Sequence, residues 1–201
     1  MPPKSFTGLM EVRPQRKLYV NFINNDQETT LIFLHGAGGR SDQFRQQIDY
    51  FKNLYNILSF DYLGHGASEK PKPSEGENLY SFQNLYLDIE TLFKQYATKK
   101  TIVIGHSYGG ALASNLALHH SFDQLILLSP TTLQPKPTIG RVFYLPIFIL
   151  EMFRSIINKN FAYLAFHPET DAALVEYELE MARKNPMYVM KPLVLDMLHL
   201  P

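Results

Sequence analysis

Short apolar runs alternate with helix-period segments through the first 130 residues. Lys17 to Phe22 alternates apolar and polar positions and predicts an opening strand, with Asn24-Asn25-Asp26 as the turn after it. Leu31 to Leu34 is a continuous apolar run, the pattern of a strand covered on both faces, and Tyr55 to Phe60 is the next strand. Between them Ser41 reads as the cap of a helix carrying Phe44, Ile48 and Phe51. Lys70 to Glu77 holds two prolines and a glycine and predicts an exposed loop. Leu85, Ile89, Leu92, Phe93 and Tyr96 recur at helical spacing, so an amphipathic helix covers the sheet. Thr101 to Ile104 predicts a strand, the residues up to about His119 a helix, and Leu125 to Leu128 another buried strand. Strands alternating with helices imply a mostly parallel, twisted sheet with helices on both faces.

The pattern changes after Pro130. Thr131 to Thr138 contains two prolines and reads as a linker; Ile139 to Pro201 is helical in pattern and rich in Phe, Tyr, Leu, Ile and Met. The expected division is a core over residues 1–134 and a helical segment over 135–201. The apolar faces of that segment either line a pocket for an apolar group or pack on the core.

Composition narrows the function classes. Lys+Arg and Asp+Glu balance at 19 each, so no overall field favours nucleic acid or an anionic membrane. Cysteine is absent, which excludes a disulfide framework and thiolate catalysis; a cytoplasmic location is the expectation. No apolar stretch follows Met1-Pro2-Pro3-Lys4, so no secretory signal is expected there. The longest apolar stretch, Val142 to Leu150, is interrupted by Pro146 and falls short of the roughly 20 residues that span a bilayer.

The chemistry concentrates at Gly105-His106-Ser107-Tyr108-Gly109, directly after the Thr101–Ile104 strand and before a small-residue helix. A serine with glycines two residues away on each side, at a strand-to-helix junction, is the G-x-S-x-G nucleophile elbow. The turn is so tight that serine takes a strained backbone position and bulk at the glycines would meet neighbouring backbone. The hydroxyl is thereby thrust above the sheet, and the helix behind it offers free N–H groups.

Two further segments accompany the elbow in order. They are Leu31-Ile32-Phe33-Leu34-His35-Gly36-Ala37-Gly38-Gly39, and Asp61-Tyr62-Leu63-Gly64-His65-Gly66-Ala67-Ser68. Together the three resemble the α/β-hydrolase family, in detail from about Leu18 to Pro130. The first is similar to its His-Gly oxyanion loop and the second to its Asp-x-x-Gly-x-Gly-x-Ser turn. The resemblance implies an α/β-hydrolase fold with Ile139 to Pro201 as a helical lid. It also implies Ser107 as nucleophile, with the backbone N–H groups of Ala37 and Tyr108 as oxyanion donors. His35, Gly36, Gly105, His106 and Gly109 would support the elbow and loop, His65 would brace its loop, and Asp61 would cap the turn after its strand. Family members that open epoxides or displace halide carry Asp at the nucleophile position, so serine points to acyl transfer. The implied substrate is a small to medium, partly apolar ester or related acyl compound. Neither metal nor organic cofactor is implied, and the oligomeric state is left open.

The chain departs from the family at its C-terminal end. In the family the acid and histidine that activate the serine follow it in the order Ser, Asp/Glu, His, on strands beyond the lid. Here the residues end at Leu198-His199-Leu200-Pro201, and Ser129 to Thr138 holds no carboxylate. His119 and His120 sit at the far end of the helix leaving the elbow, while His167, Asp196 and His199 belong to the lid. Asp196 and His199 are three residues apart and share a helical face. The expectation is therefore a fragment or prematurely ended reading frame that lacks the last strands, with Leu125 to Leu128 left as an apolar sheet edge. Three readings stay open: a serine hydrolase, a degenerate non-catalytic member that binds a ligand or partner, and an acyltransferase or cofactor-free haloperoxidase.

Overall fold

A computed structural model describes residues 3–131 and 140–197. Six strands form one sheet: β1 (Phe6–Arg13), β2 (Arg16–Ile23), β3 (Thr29–Leu34), β4 (Asn56–Phe60), β5 (Lys100–His106) and β6 (Gln124–Leu128). Their order is β1-β2-β4-β3-β5-β6; β1 with β2 and β2 with β4 are antiparallel, the other three pairings parallel. The sheet is mixed, with its antiparallel part at the N-terminal edge.

Every residue of β4 and all but the first of β3 are buried, as their continuous apolar runs require. Alternate residues feed two cores. Ile32, Leu34, Leu58, Phe60 and Val103 pack against α2 (Phe82–Tyr96) and α3 (Tyr108–His119). Leu31, Phe33, Ile57 and Ile104 pack on the opposite face with Phe44, Ile48 and Phe51, the last two on α1 (Arg45–Phe51). Helices thus cover both faces.

Ser41 does not cap a helix. It opens a 3-10 turn, Ser41–Phe44, and its N–H and hydroxyl both donate to Asp61 Oδ1 at 2.7 Å. A carboxylate across the loop satisfies the group that a cap would have used. Helix α2 is capped by Ser81, whose hydroxyl accepts from the Asn84 N–H. The helix also buries Asp88 against Arg16, with contacts of 2.6 to 3.0 Å, and Arg13 adds a bond at 3.1 Å. Burial pushes the Asp88 carboxyl up, opposed by both guanidinium groups.

Strand β6 corrects one expectation. Among the described residues it pairs with β5 alone, as the expected sheet edge, and Ile126, Leu127 and Leu128 are 41%, 38% and 39% exposed rather than buried. The residues beyond the linker form α4 (Ile147–Met152), α5 (Arg154–Ala165), α6 (Ala172–Arg183) and α7 (Met187–Met197). Phe143, Leu150 and Met187 make a small core of their own, whereas Val189 and Leu193 of α7 belong to the main core. The expected boundary at residues 134/135 lies outside the described residues.

Candidate active site

The parallel registers set β3, β5 and β6 side by side, with Leu34 opposite Gly105 and His106 opposite Leu128. The loops leaving their carboxyl ends therefore converge, which is where open α/β sheets place ligand sites. Ser107 sits at this edge, between β5 and α3, at φ 52 and ψ −118. A positive φ costs a non-glycine residue about 1–3 kcal/mol, so the surroundings must impose it. They do. The Ser107 N–H donates to Leu128 O at 3.0 Å, and its carbonyl accepts from the N–H groups of Gly110 (2.9 Å) and Thr131 (3.1 Å). The side chain is half-buried, with its hydroxyl 3.4 Å from Thr131 Oγ1.

Both flanking glycines are forced by close backbone approach. A Cβ on Gly105 would lie 2.5 Å from Gly109 O, and one on Gly109 would lie 2.2 Å from Leu34 O. A Cβ on Gly36 would lie 3.2 Å from both Ser107 Cβ and His106 Nδ1. The loop after β3 thus passes directly against the serine. His106 rests its ring on that loop, and burial lowers its pKa.

Residues 36–39 form a tight turn. Gly38 takes φ 74, and the Gly39 N–H donates to Gly36 O at 3.0 Å. Gly36 O also meets His35 Nδ1 at 2.8 Å. Because the Tyr62 N–H donates to His35 Nε2 at 3.1 Å, Nδ1 is the ring nitrogen that carries hydrogen and donates. Burial lowers the His35 pKa to about 3, so the ring stays neutral and keeps this pattern. In a trans peptide, C=O and N–H point to opposite sides. Two donors on Gly36 O therefore also fix the direction of the Ala37 N–H. Among the described residues neither the Ala37 nor the Tyr108 N–H donates to a loop or side-chain acceptor. Tyr108 opens α3, where the first N–H groups lack intrahelical partners and the helix dipole favours negative charge.

The second segment braces the first. Asp61 Oδ2 accepts from the Ala67 N–H at 2.8 Å, closing the turn after β4, while Oδ1 holds Ser41. A Cβ on Gly66 would lie 2.1 Å from Asp61 Oδ2. The buried His65 points Nδ1 at Leu63 O (3.2 Å), and its pKa too is lowered by burial to about 3.

The remaining titratable candidates are engaged elsewhere. His119 Nδ1 bonds Asn115 O at 2.9 Å, and His120 Nε2 bonds Glu90 Oε1 at 2.7 Å. His167 is exposed and accepts from the Glu169 N–H. Asp196 accepts from the Phe82 N–H at 2.7 Å, at the start of α2; its partner in the sequence reading, His199, lies outside the described residues. Among the described residues no histidine or carboxylate hydrogen-bonds the Ser107 hydroxyl. Thr131, which does approach it, stood in the expected linker and carried no motif to announce it.

A groove of about 370 Å³ lined by Tyr19, Asn21, Ser41, Arg45 and Lys52 shares no residue with the elbow or the 36–39 turn. A smaller cavity of about 10 Å³ lies between that turn and α6, bounded by Gly38, Gly39, Arg40, Glu178 and Met181, room for one water. No group of three or more metal-ligating side chains occurs among the described residues, and no described helix is long and apolar enough to cross a membrane.

Residues 29–190 match the sequence profile of the alpha/beta hydrolase fold. Protein ABHD8 of Bos taurus is 30% identical over 169 residues, which cover 77% of this chain and 38% of that protein. The uncharacterized hydrolase YugF of Bacillus subtilis is 26% identical over 179 residues, 84% of this chain and 64% of that one. This chain therefore spans less than two fifths of the mammalian relative. Among solved structures, an esterase from Exiguobacterium antarcticum superposes with a TM-score of 0.77 at 18% identity, over 98% of this chain and 74% of that one. A bromoperoxidase from Bacillus anthracis gives 0.78 at 13% identity, over 96% and 74%. At such identities the likeness is one of fold.

Proposed function

Because the chain belongs to the α/β-hydrolase family, we propose that it is a serine hydrolase in which Ser107 attacks the carbonyl carbon of an ester or related acyl compound. The observation that carries this reading is the strained, half-exposed Ser107 at φ 52, wedged between glycines that tolerate no side chain. Such strain persists where the surroundings over-determine it, and it gathers at functional sites. In the proposed step the hydroxyl oxygen bonds the acyl carbon, its proton passes to a base, and the carbonyl oxygen becomes an oxyanion. The N–H groups of Ala37 and Tyr108 receive that charge, each such donor being worth roughly 3 kcal/mol. The base and its acid partner would come from residues outside those described. His35, Gly36, Gly105, His106 and Gly109 act as supports. Residues 135–201 serve as a lid over a small to medium, partly apolar substrate. The proposal requires no cofactor and includes a cytoplasmic setting, which the cysteine-free composition suits.

A second reading, a ligand-binding member without catalysis, is favoured by one observation: among the described residues no base hydrogen-bonds the Ser107 hydroxyl. A panel of p-nitrophenyl esters of increasing acyl length separates the two. The hydrolase reading expects turnover that Ser107→Ala removes, with short to medium chains preferred. Binding of the same esters without turnover, or turnover that survives Ser107→Ala, contradicts it. Repeating the assay with an alcohol as acceptor distinguishes hydrolysis from acyl transfer.

A further inference from the structure

The turn at residues 36–39 is held from the lid as well as from the core. Asn185, on the connection between α6 and α7, is 2% exposed and donates from Nδ2 to Gly38 O at 2.6 Å. Nearby, the Met190 methyl would stand 3.2 Å from a Cβ on Gly38. Asn185 is itself anchored. Its N–H donates to Ala182 O at 3.1 Å, and its carbonyl accepts from Arg154 Nη1 at 3.0 Å. Arg154 is paired through Nε and Nη2 with Glu151, whose Oε1 accepts from the Met187 N–H at 3.0 Å. The backbone that carries this side chain is thus held by α6 and Arg154.

The hydrogen bonds then run in one direction. Gly38 O and the Gly39 N–H are opposite ends of one peptide plane, and that N–H donates to Gly36 O. Gly36 O and the Ala37 N–H are opposite ends of the next hydrogen-bonded plane. From Asn185 two peptide dipoles thus stand head to tail, ending on the Ala37 N–H, next in the chain to Gly36, which packs against Ser107. Hydrogen bonds in such a chain polarise one another. We propose that Asn185 is a positioning residue: seated on Gly38 O, it orients and polarises the Ala37 N–H through the Gly38–Gly39 and Gly36–Ala37 peptides, so that the oxyanion site is complete only when the lid is docked. This rests on the reading of Ala37 as an oxyanion donor.

Two variants and two readouts test it. Asn185→Leu removes the donor. It also removes a buried Oδ1 that has no hydrogen-bond partner among the described residues, which offsets part of the loss at Gly38 O. Asn185→Asp keeps the shape and donates only when protonated. Hydrogen exchange reads the relay without any need for turnover: at least about tenfold faster exchange of the Gly39 amide in Asn185→Leu, with β3 to β5 unchanged, is expected for loss of a local restraint. Ester kinetics read its consequence. Outright removal of an oxyanion donor lowers kcat about 10²–10³-fold, so misorienting one is expected to lower it about tenfold with KM within about twofold. The activity of Asn185→Asp relative to the native protein should recover as pH falls and its carboxyl gains a proton to donate. Unchanged Gly39 exchange, or a kcat unaffected by Asn185→Leu, overturns the proposal. A native protein that turns over no ester overturns the hydrolase reading instead, and the exchange experiment then decides the relay alone.

Discussion

At the scale of single residues, the elbow was legible because its constraints are local. A serine at positive φ with backbone within 2.5 Å of where two Cβ atoms would stand leaves glycine as the only residue for positions 105 and 109, and the sequence carries that signature. Ala37 and Tyr108, the proposed oxyanion donors, were picked out in the same local way, as neighbours of recognisable turns. Thr131 and Asn185 were not: each reaches the site across a tertiary contact that no local pattern encodes. The glycine argument gives a direct test. Gly109→Ala places a methyl carbon against Leu34 O and His35 O and is expected to destabilise the fold by about 3 kcal/mol through overpacking. Gly76→Ala meets nothing within 4 Å and bears only its left-handed φ of 81, about 1–2 kcal/mol. Urea unfolding of the two variants checks the order; equal midpoints would contradict it.

At the scale of elements, periodicity located most of the strands and the long helices, and failed where a neighbour decides burial. Strand β1 escaped notice because Gly8 and the outward Leu9, 52% exposed, break the alternation of Phe6, Met10 and Val12. Strand β6 has the run Leu-Ile-Leu-Leu of a doubly covered strand, yet among the described residues it has one partner and an exposed flank. An apolar unpaired edge is a template for pairing with another chain. This protein should therefore self-associate as its concentration rises, and Leu127→Lys should suppress that association, as sedimentation velocity would show. Association unaffected by the charge would locate the contact elsewhere. The helices after residue 140 were recognisable as helices, but not how they dock. Tyr177 on Asp42, Glu178 on Arg45, Asn185 on Gly38 and Asp196 on the start of α2 are polar contacts between distant segments.

At the scale of the whole molecule, the core and the loops above it are linked through buried neutral imidazoles. His35 and His65 ionise only near pH 3 in the folded protein, because burial disfavours the cation, whereas an unfolded histidine binds a proton near pH 6.5. Between those values the unfolded chain holds more protons, so stability is full above about pH 6.5 and declines as pH falls toward 3. The two together should lower the unfolding free energy by up to about 4 kcal/mol between pH 7 and pH 5, measured by urea titration. A flat profile would mean that these rings are hydrated. The central claim concerns Ser107 alone, and one measurement reaches it most directly: incubation of the folded protein with a fluorophosphonate, followed by intact-mass and peptide analysis. The account predicts a single phosphonyl adduct, mapped to Ser107 and absent from Ser107→Ala. Folded protein that gains no adduct, or gains it at another residue, would contradict it.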